Sequence, residues 1–577
     1  MATQTTPDGS APVGGTAPAE DGDKVPATGS APATGSTPAT GSTPATDSAP
    51  AAGRHRLDQA LAERLLRRIV SSGTETHDTF APYTGRSLAA VPVSTVADVD
   101  TAFERAREAQ GEWAATPVRR RAAILLRLHD LILDRQPEIL DLVQWESGKA
   151  RKHAFEEVLD VALTARYYGR RGPGYLRPHH RAGVIPALTA ACELRQPKGV
   201  VGIISPWNYP LTLGVSDALP ALLAGNAVVH KPDAQTPLTA LWGVDLVCQA
   251  GLPDGLWQVV SGAGPVIGGA IVDRADYVCF TGSTATGRQV AQQAAGRLVG
   301  CSLELGGKNP MIVLADADLN RAAEGAVRAC FSSAGQLCIS IERLYVAEPV
   351  REEFLDLFLD RVRRMRLAAS FGYDADMGSL ISAVQLETVT RHVADAVAHG
   401  ATVLAGGRAR PELGPYFYEP TVLAGVREGM FCHAEETFGP LVSVYPFGSE
   451  GGGAEGEDIE GEAVRLANDT RYGLNASVWT KDLARGRRIA ARIRAGTVNV
   501  NEGYVAAWGS VDSPMGGMRE SGLGRRHGAE GIWKYTEPQT VAVQRLQGLG
   551  TPPWINDQRW ADLLTGSLKV LKLLGRR

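Results

Sequence analysis

One cysteine, Cys338, stands in the stretch FSSAGQLCISIERLYV beside a Gly-Gln pair and ahead of a β-branched and aromatic run. A thiol acts as a nucleophile only when its pKa is lowered or a base takes its proton, and the tetrahedral species it forms needs donors aimed at the new oxyanion. Alone, Cys338 also reads as a small buried apolar side chain, because free cysteine is among the most buried residue types. Three other segments carry the residue types this chemistry needs. In LELGGKNP, 34 residues upstream, Glu304 ends an apolar run beside Gly306 and Gly307. Its carboxylate could act as general base on a water; a strand-end Glu in solvent is the plainer reading. In GVVGIISPWNYPLTL, Pro206 and Pro210 fix a rigid turn around Trp207, Asn208 and Tyr209. Asn208 could present its amide to an oxyanion, or the motif is only a turn. In DYVCFTGSTATG an apolar run leads into Gly282, Ser283 and Gly287 at the head of a helical pattern, which is how a dinucleotide pyrophosphate is commonly held on backbone N–H groups.

These segments need a scaffold that brings distant residues together. From about residue 54 the sequence shows long helical patterns, DVDTAFERAREAQGEWA and RRRAAILLRLHDLILDRQPEILDLVQWESG, and then short apolar runs bounded by Gly and Pro. VVGIIS, NAVVHKP, LWQVV and DYVCFTG alternate with helical stretches, the pattern of a parallel sheet covered by helices on both faces. A second set, NPMIVLADAD, RLYVAEP, LVSVYPF, ASVWT and TVNVN, predicts a second α/β unit. SEGGGAEGEDIEGE, 449–462, reads as an exposed acidic loop inserted in that unit. In open α/β sheets the ligand site lies beyond the carboxyl ends of the strands, where PWNYP and the glycine loop fall.

PWNYP, FTGSTATG, LELGGKNP, GQLC and EETFGP, in this order and spacing, make residues 54 to 545 resemble the NAD(P)-dependent aldehyde dehydrogenase superfamily. Its wording is most similar to bacterial succinate-semialdehyde dehydrogenases in RQPKGVVGIISPWNYPL and VNEGYVAAWGS. The resemblance implies an α/β fold with a Rossmann-like cofactor domain (54–177 and 197–306), an α/β catalytic domain (307–507) and a small β oligomerisation element (178–196 and 508–545). It implies that Cys338 attacks an aldehyde and that Asn208 and the Cys338 N–H hold the oxyanion. Glu304 then activates water against the thioester. Lys231, Gly282, Ser283, Gly287, Glu436, Phe438 and Trp207 would hold NADP or NAD. The segment from Pro514, PMGGMRESGLGRR, is similar to the closing signature, and YTEPQTVAVQ would form the oligomerisation strand of a homodimer or homotetramer. Cys330, on a helical pattern, reads as core.

The resemblance extends to the substrate. A terminal carboxylate calls for a cation, and Arg matches it bidentately. Arg166, with Arg170 and Arg171, falls in the helix that lines the substrate tunnel of relatives, and Ser510 matches a tunnel serine. The chain departs from semialdehyde-specific relatives at Ser332, where many carry an arginine, and at Ser340, where a redox-switching cysteine would stand. Ala234 replaces the glutamate with which NAD-preferring relatives repel a 2′-phosphate, so NADP is acceptable, while Asp233 keeps NAD open. Asp217 stands where many relatives have a lysine. An aromatic or aliphatic aldehyde, with Trp207, Tyr209 and Trp508 lining the tunnel, is the alternative substrate; a cofactor-free thiol hydrolase is the alternative class.

Composition agrees with small-molecule chemistry. Lys plus Arg number 59 against 63 Asp plus Glu, a net charge of −4, which gives no basic surplus for nucleic acid. The 7 cysteines have no CxxC spacing, so neither a zinc site nor a disulfide framework is expected, and reduced thiols suit a cytoplasmic protein. No apolar stretch is long enough to span a bilayer. Residues 1–53 hold hexamers such as ATGSAP and ATGSTP and read as a disordered tail with no targeting signal. The extension 546–577 ends in WADLLTGSLKVLKLLGRR, a basic amphipathic helix that could dock on the protein body or a partner, or lie on a membrane surface.

Overall fold

Five apolar runs build the sheet that carries most of the candidate residues. In the computed structural model, which describes residues 57–184, 189–448, 458–545 and 548–575, they are β1 (Val200–Ile204), β2 (Ala227–Lys231), β3 (Trp257–Val259), β4 (Tyr277–Thr281) and β5 (Gly300–Glu304). They are parallel, in the order β3-β2-β1-β4-β5, with the short strand Gly522–Leu523 antiparallel on the β5 edge. β1, β2 and β4 are buried almost end to end, as strands covered on both faces must be. The chain leaves β1 for β2 on one side and reaches β4 on the other, so the crevice past β1 and β4 is the topological switch point of the sheet.

A second sheet has seven strands: β6 (Asn309–Val313), β7 (Ile341–Ala347), β8 (Thr402–Ala405), β9 (Thr421–Ala424), β10 (Leu441–Phe447), β11 (Asn475–Trp479) and β12 (Thr497–Val500). Its order is β8-β9-β10-β7-β6-β11-β12, and only the β8 pairing is antiparallel. Each sheet has its own apolar core. The first draws on residues from Ala62 to Leu305 and closes with Ile532 and Tyr535. The second runs from Met311 to Trp479 and includes Cys330, packed as expected. A third, three-stranded sheet joins His179–Arg181, Thr189–Pro197 and Thr536–Gln544, the last two antiparallel over nine residue pairs.

Three helices matter for the site. α1 (Arg151–Tyr175) flanks the turn after β1. α2 (Thr284–Gly296) follows β4, with Ser283 as N-cap accepting from the Thr286 N–H at 3.2 Å. α3 (Leu319–Phe331), capped by Asp318, packs an alanine-rich face that includes Ala322, Ala323, Ala326 and Cys330 into the second core and delivers the chain to the Cys338 loop.

Two expectations change. The acidic stretch 449–462 is not a loop throughout: a helix capped by Asp458 begins at Ile459, and Asp458 accepts from the Gly461 N–H; residues 449–457 lie outside the described residues, as does the tail 1–53. The C-terminal helix α4 (Asp557–Leu573) has no buried residue, and Leu568, Leu573 and Leu574 are 68%, 86% and 66% exposed, so it does not dock on the body. Among the described residues no helix is long and apolar enough to cross a membrane, and no group of His, Cys, Asp and Glu could hold a metal ion.

Candidate active site

Five remote stretches of sequence meet at one cavity of about 240 Å³. Its walls include Trp207 and Asn208 from the turn after β1, Gly282 and Ser283 after β4, and Glu304 at the end of β5. Cys338, Glu436 and Phe438 come from the second unit. A smaller, adjoining cavity shares Asn208 and Cys338 and is walled by Tyr209, Leu213, Tyr504, Trp508, Met515 and Arg526, among others. Cys338 therefore faces two chambers.

The Cys338 loop is held by backbone geometry that few residues tolerate. Ser333, Ala334 and Gly335 all have positive φ, 51°, 56° and 70°. A Cβ on Gly335 would strike the carbonyl of Gly439, so only glycine lets the two loops approach. The loop is pinned on the far side by Asn309, whose amide donates to the Cys338 carbonyl at 2.8 Å. Asn208 is buried, and its amide donates to the Gln336 carbonyl at 3.1 Å, which places it two residues from the thiol.

A buried ion pair sets Asn208 in place. Lys149 Nζ meets Glu157 Oε1 at 2.6 Å and donates to the Asn208 carbonyl at 2.6 Å, and it lies 3.8 Å from the Tyr209 ring centre. Glu157 Oε2 accepts from the Leu211 and Thr212 N–H groups at 2.8 and 3.1 Å. Burial pulls Lys149 down and pushes Glu157 up, and their mutual attraction opposes both. A second buried pair, Lys308 with Glu342 at 2.5 Å, holds the other wall, because Glu342 accepts from the Thr437 and Phe438 N–H groups.

Burial pushes the Cys338 thiol up to about 12, with Glu304 and Glu436 adding to the rise and Arg526 opposing it. The unliganded thiol is therefore protonated at neutral pH and needs a base. Glu304 can be that base: burial pushes it up to about 7, offset in part by Arg526 and Lys534, and its buried Oε1 has no hydrogen-bond partner among the described residues. Glu436, pushed up to about 8 first by burial and then by Glu342, is fixed by the Gly307 N–H at 2.8 Å.

The larger cavity has groups that could hold the nicotinamide end of a dinucleotide. The α2 N-terminus offers N–H groups to a pyrophosphate, Glu436 offers a carboxylate to ribose hydroxyls, and Trp207 and Phe438, edge to face at 5.4 Å, form an aromatic wall. Gly287 sits inside α2 against Leu305. Lys231 ends β2, buried, with Nζ on the Pro232 carbonyl at 3.2 Å.

The residue model of the aldehyde dehydrogenase family matches 69–541 of this chain. The chain belongs to the aldehyde dehydrogenase family. It is 53% identical over 496 residues to a Mycobacterium tuberculosis protein named a putative succinate-semialdehyde dehydrogenase (NADP(+)), covering 86% of this chain and 94% of that one. It is 38% identical to a 4,4'-diapolycopene aldehyde oxidase of Methylomonas sp, over 86% of this chain and 92% of that one. Among solved structures, the betaine aldehyde dehydrogenase of Staphylococcus aureus in complex with NAD+ superposes with a TM-score of 0.77 at 29% identity, covering 86% of this chain and 100% of that one. An aldehyde dehydrogenase oxidises an aldehyde to its acid with NAD(P), which sets the cofactor-free hydrolase aside.

The structure does not bring every sequence candidate to the chambers. Arg166 is exposed on α1 and walls a separate surface hollow with Arg170, Arg171 and Asp512. Ser510 is exposed, its hydroxyl on the Ala506 carbonyl at 2.7 Å. Ser332 is buried with its hydroxyl on the Arg328 carbonyl and Tyr504. Sequence reading missed Lys149 and Glu157, charged residues with no motif of their own, and met Arg526 only as the last residue of PMGGMRESGLGRR, with no role given to it. Asp217, left open there, pairs with Arg526 at 2.9 Å, both side chains buried.

Proposed function

We propose that this aldehyde dehydrogenase oxidises succinate semialdehyde to succinate through a thioester on Cys338, with NADP(+) as preferred acceptor and NAD(+) also used. The observation that carries the chemistry is the meeting of Cys338, Glu304 and Asn208 at one cavity whose other walls suit a nicotinamide. Glu304 takes the thiol proton, and Sγ adds to the aldehyde carbon. The alkoxide that forms rests on the Asn208 amide and the Cys338 N–H. An oxidised nicotinamide held by Trp207, Glu436 and Phe438 would supply the acceptor for the hydride leaving that carbon. Glu304 releases the thiol proton to solvent and, ionised again, takes a proton from water as the water attacks the thioester carbon; the C–S bond breaks, the acid leaves and the thiolate is regenerated.

The substrate reading is supported by the mycobacterial relative, and the nucleotide reading also by Ala234, which brings no charge against a 2′-phosphate. Asp233 spends its carboxylate on the Gln235 N–H at 2.9 Å. A second reading, an apolar aldehyde, is favoured by Leu213, Leu337, Ile339, Trp508 and Met515 in the smaller chamber. Initial rates of nicotinamide reduction with succinate semialdehyde, benzaldehyde and hexanal, each with both nucleotides, decide between them. Succinate semialdehyde with NADP(+) is expected to give the highest kcat/KM; hexanal in first place carries the second reading instead. Cys338→Ser should lose about 10³-fold or more in kcat, and undiminished turnover overturns the mechanism.

The protein works in the cytoplasm as a homodimer or homotetramer. Its seven cysteines are free thiols, which suits a reducing compartment. The exposed apolar residues of α4 beside Lys569 and Lys572 rest on a partner subunit or a membrane surface.

A further inference from the structure

We propose that Arg526 clamps the substrate's distal carboxylate, with the Nη end of its guanidinium opening on the chamber that Cys338 shares. This inference rests on the succinate-semialdehyde reading and deepens it. In a four-carbon semialdehyde the attacked carbon and the carboxylate carbon are three bonds apart, about 3.8 Å when extended, the span between consecutive Cα atoms. A cation that reads so short a molecule must stand in the same chamber wall as the sulfur. Arg166 cannot, since it walls a different hollow. Arg526 walls the Cys338 chamber together with Asn208 and Met515.

Two other buried arginines show what a purely structural guanidinium looks like in this fold. Arg121 donates to the carbonyls of Leu223, Trp113, Ala114 and Thr116. Arg343 donates to the carbonyls of Lys308, Leu466, Ala467 and Asp469 and to the Tyr345 hydroxyl. Both are spent on the protein. Arg526 is as deeply placed, at 6% exposure, yet among the described residues its side chain bonds only through Nε, to Asp217 Oδ1 at 2.9 Å. That bond leaves the planar Nη1–Nη2 fork, the geometry that accepts a carboxylate in two parallel hydrogen bonds. The backbone aims it, because Arg526 and Met515 exchange N–H to carbonyl bonds at 2.6 and 2.9 Å.

The neighbouring acids do not cancel the clamp. Asp217 takes one face of the guanidinium. Burial pushes Asp160 up to about 6, Glu304 up to about 7 and Glu156 upward, so each holds its negative charge less firmly than a solvated carboxyl does. Glu156 also receives the hydroxyls of Tyr209 and Tyr504, both at 3.0 Å.

The test compares succinate semialdehyde with pentanal, a neutral aldehyde of matching length, in the full-length enzyme. Two variants are used: Arg526→Lys keeps the charge and removes the fork, and the double variant Asp217→Asn/Arg526→Gln removes both buried charges together, so that neither is stranded. In each, the ratio of kcat/KM for succinate semialdehyde to that for pentanal is expected to fall about 30-fold or more, chiefly through KM, and the inhibition constant of added succinate to rise in step. A ratio unchanged in whichever variant folds, or an equal loss on both substrates, overturns the inference while leaving the substrate reading standing. A wild-type enzyme that prefers pentanal brings down the substrate reading and this inference with it.

Discussion

Glu304 shows how one residue is tuned by what surrounds it. Its carboxyl lies at the end of β5 with Oε1 unpartnered, and burial lifts it to about 7. A base must be ionised to work, so kcat should fall as pH drops through about 7. Glu304→Gln should lose that acid limb and slow turnover by about 10²–10⁴-fold, and because Glu304 also takes the thiol proton, the burst of reduced nucleotide should slow with it. A burst of undiminished rate would place Glu304 in hydrolysis alone. Stability gives an independent check. The folded state holds this proton more tightly than the unfolded chain, so the native carboxyl costs stability progressively as pH rises from the ordinary glutamate range through about 7. Glu304→Gln should therefore melt higher than wild type at pH 8.5, by something on the order of 2–3 kcal/mol, and nearly level with it below pH 5.

At the scale of elements, the turn after β1 is positioned by α1 rather than by its own prolines alone. Lys149, one residue before the α1 N-cap, and Glu157, inside α1, hold the Asn208 carbonyl and the Leu211 and Thr212 N–H groups. Lys149→Met leaves Glu157 buried without its cation, which should cost about 3–5 kcal/mol in denaturant unfolding. It should also lower kcat more than it raises KM, since the role proposed for the Asn208 amide is to hold the oxyanion and not the resting substrate; a loss confined to KM would contradict this. The same elements explain what the sequence could and could not tell. PWNYP, FTGSTATG, LELGGKNP, GQLC and EETFGP are local patterns, and the residues they offered, Asn208, Ser283, Glu304, Cys338 and Glu436, line one cavity. Arg166 was chosen from its helix, but helical position alone does not say which side of a wall a residue faces, and it falls outside. Arg526 and Asp217 are 309 residues apart, and although the first ends PMGGMRESGLGRR, nothing local to either residue says that they pair.

The whole molecule places its chemistry between two cores and its open edge elsewhere. Asn208 and Glu304 come from the first sheet's unit and Cys338 and Glu436 from the second's, so one chain supplies all four. The three-stranded sheet ends in Thr536–Gln544, which pairs with Thr189–Pro197 along one side and has eight of its nine residues exposed. Val541 and Val543 share one face of this edge, at 41% and 54% exposure. An open edge with apolar residues is a template for another chain unless charges or proline blunt it; Glu537 and Pro538 stand in the first half of this strand, and residues 540–544 hold neither a charge nor a proline. Wild type should therefore run in light-scattering chromatography at twice or four times the 61.2 kDa chain mass. Val541→Lys/Val543→Lys should shift it to the single-chain mass. Because no partner residue is needed at Cys338, the separated chain should keep its thiol chemistry and lose thermal stability first; a wild type already at the single-chain mass would remove the interface from this edge.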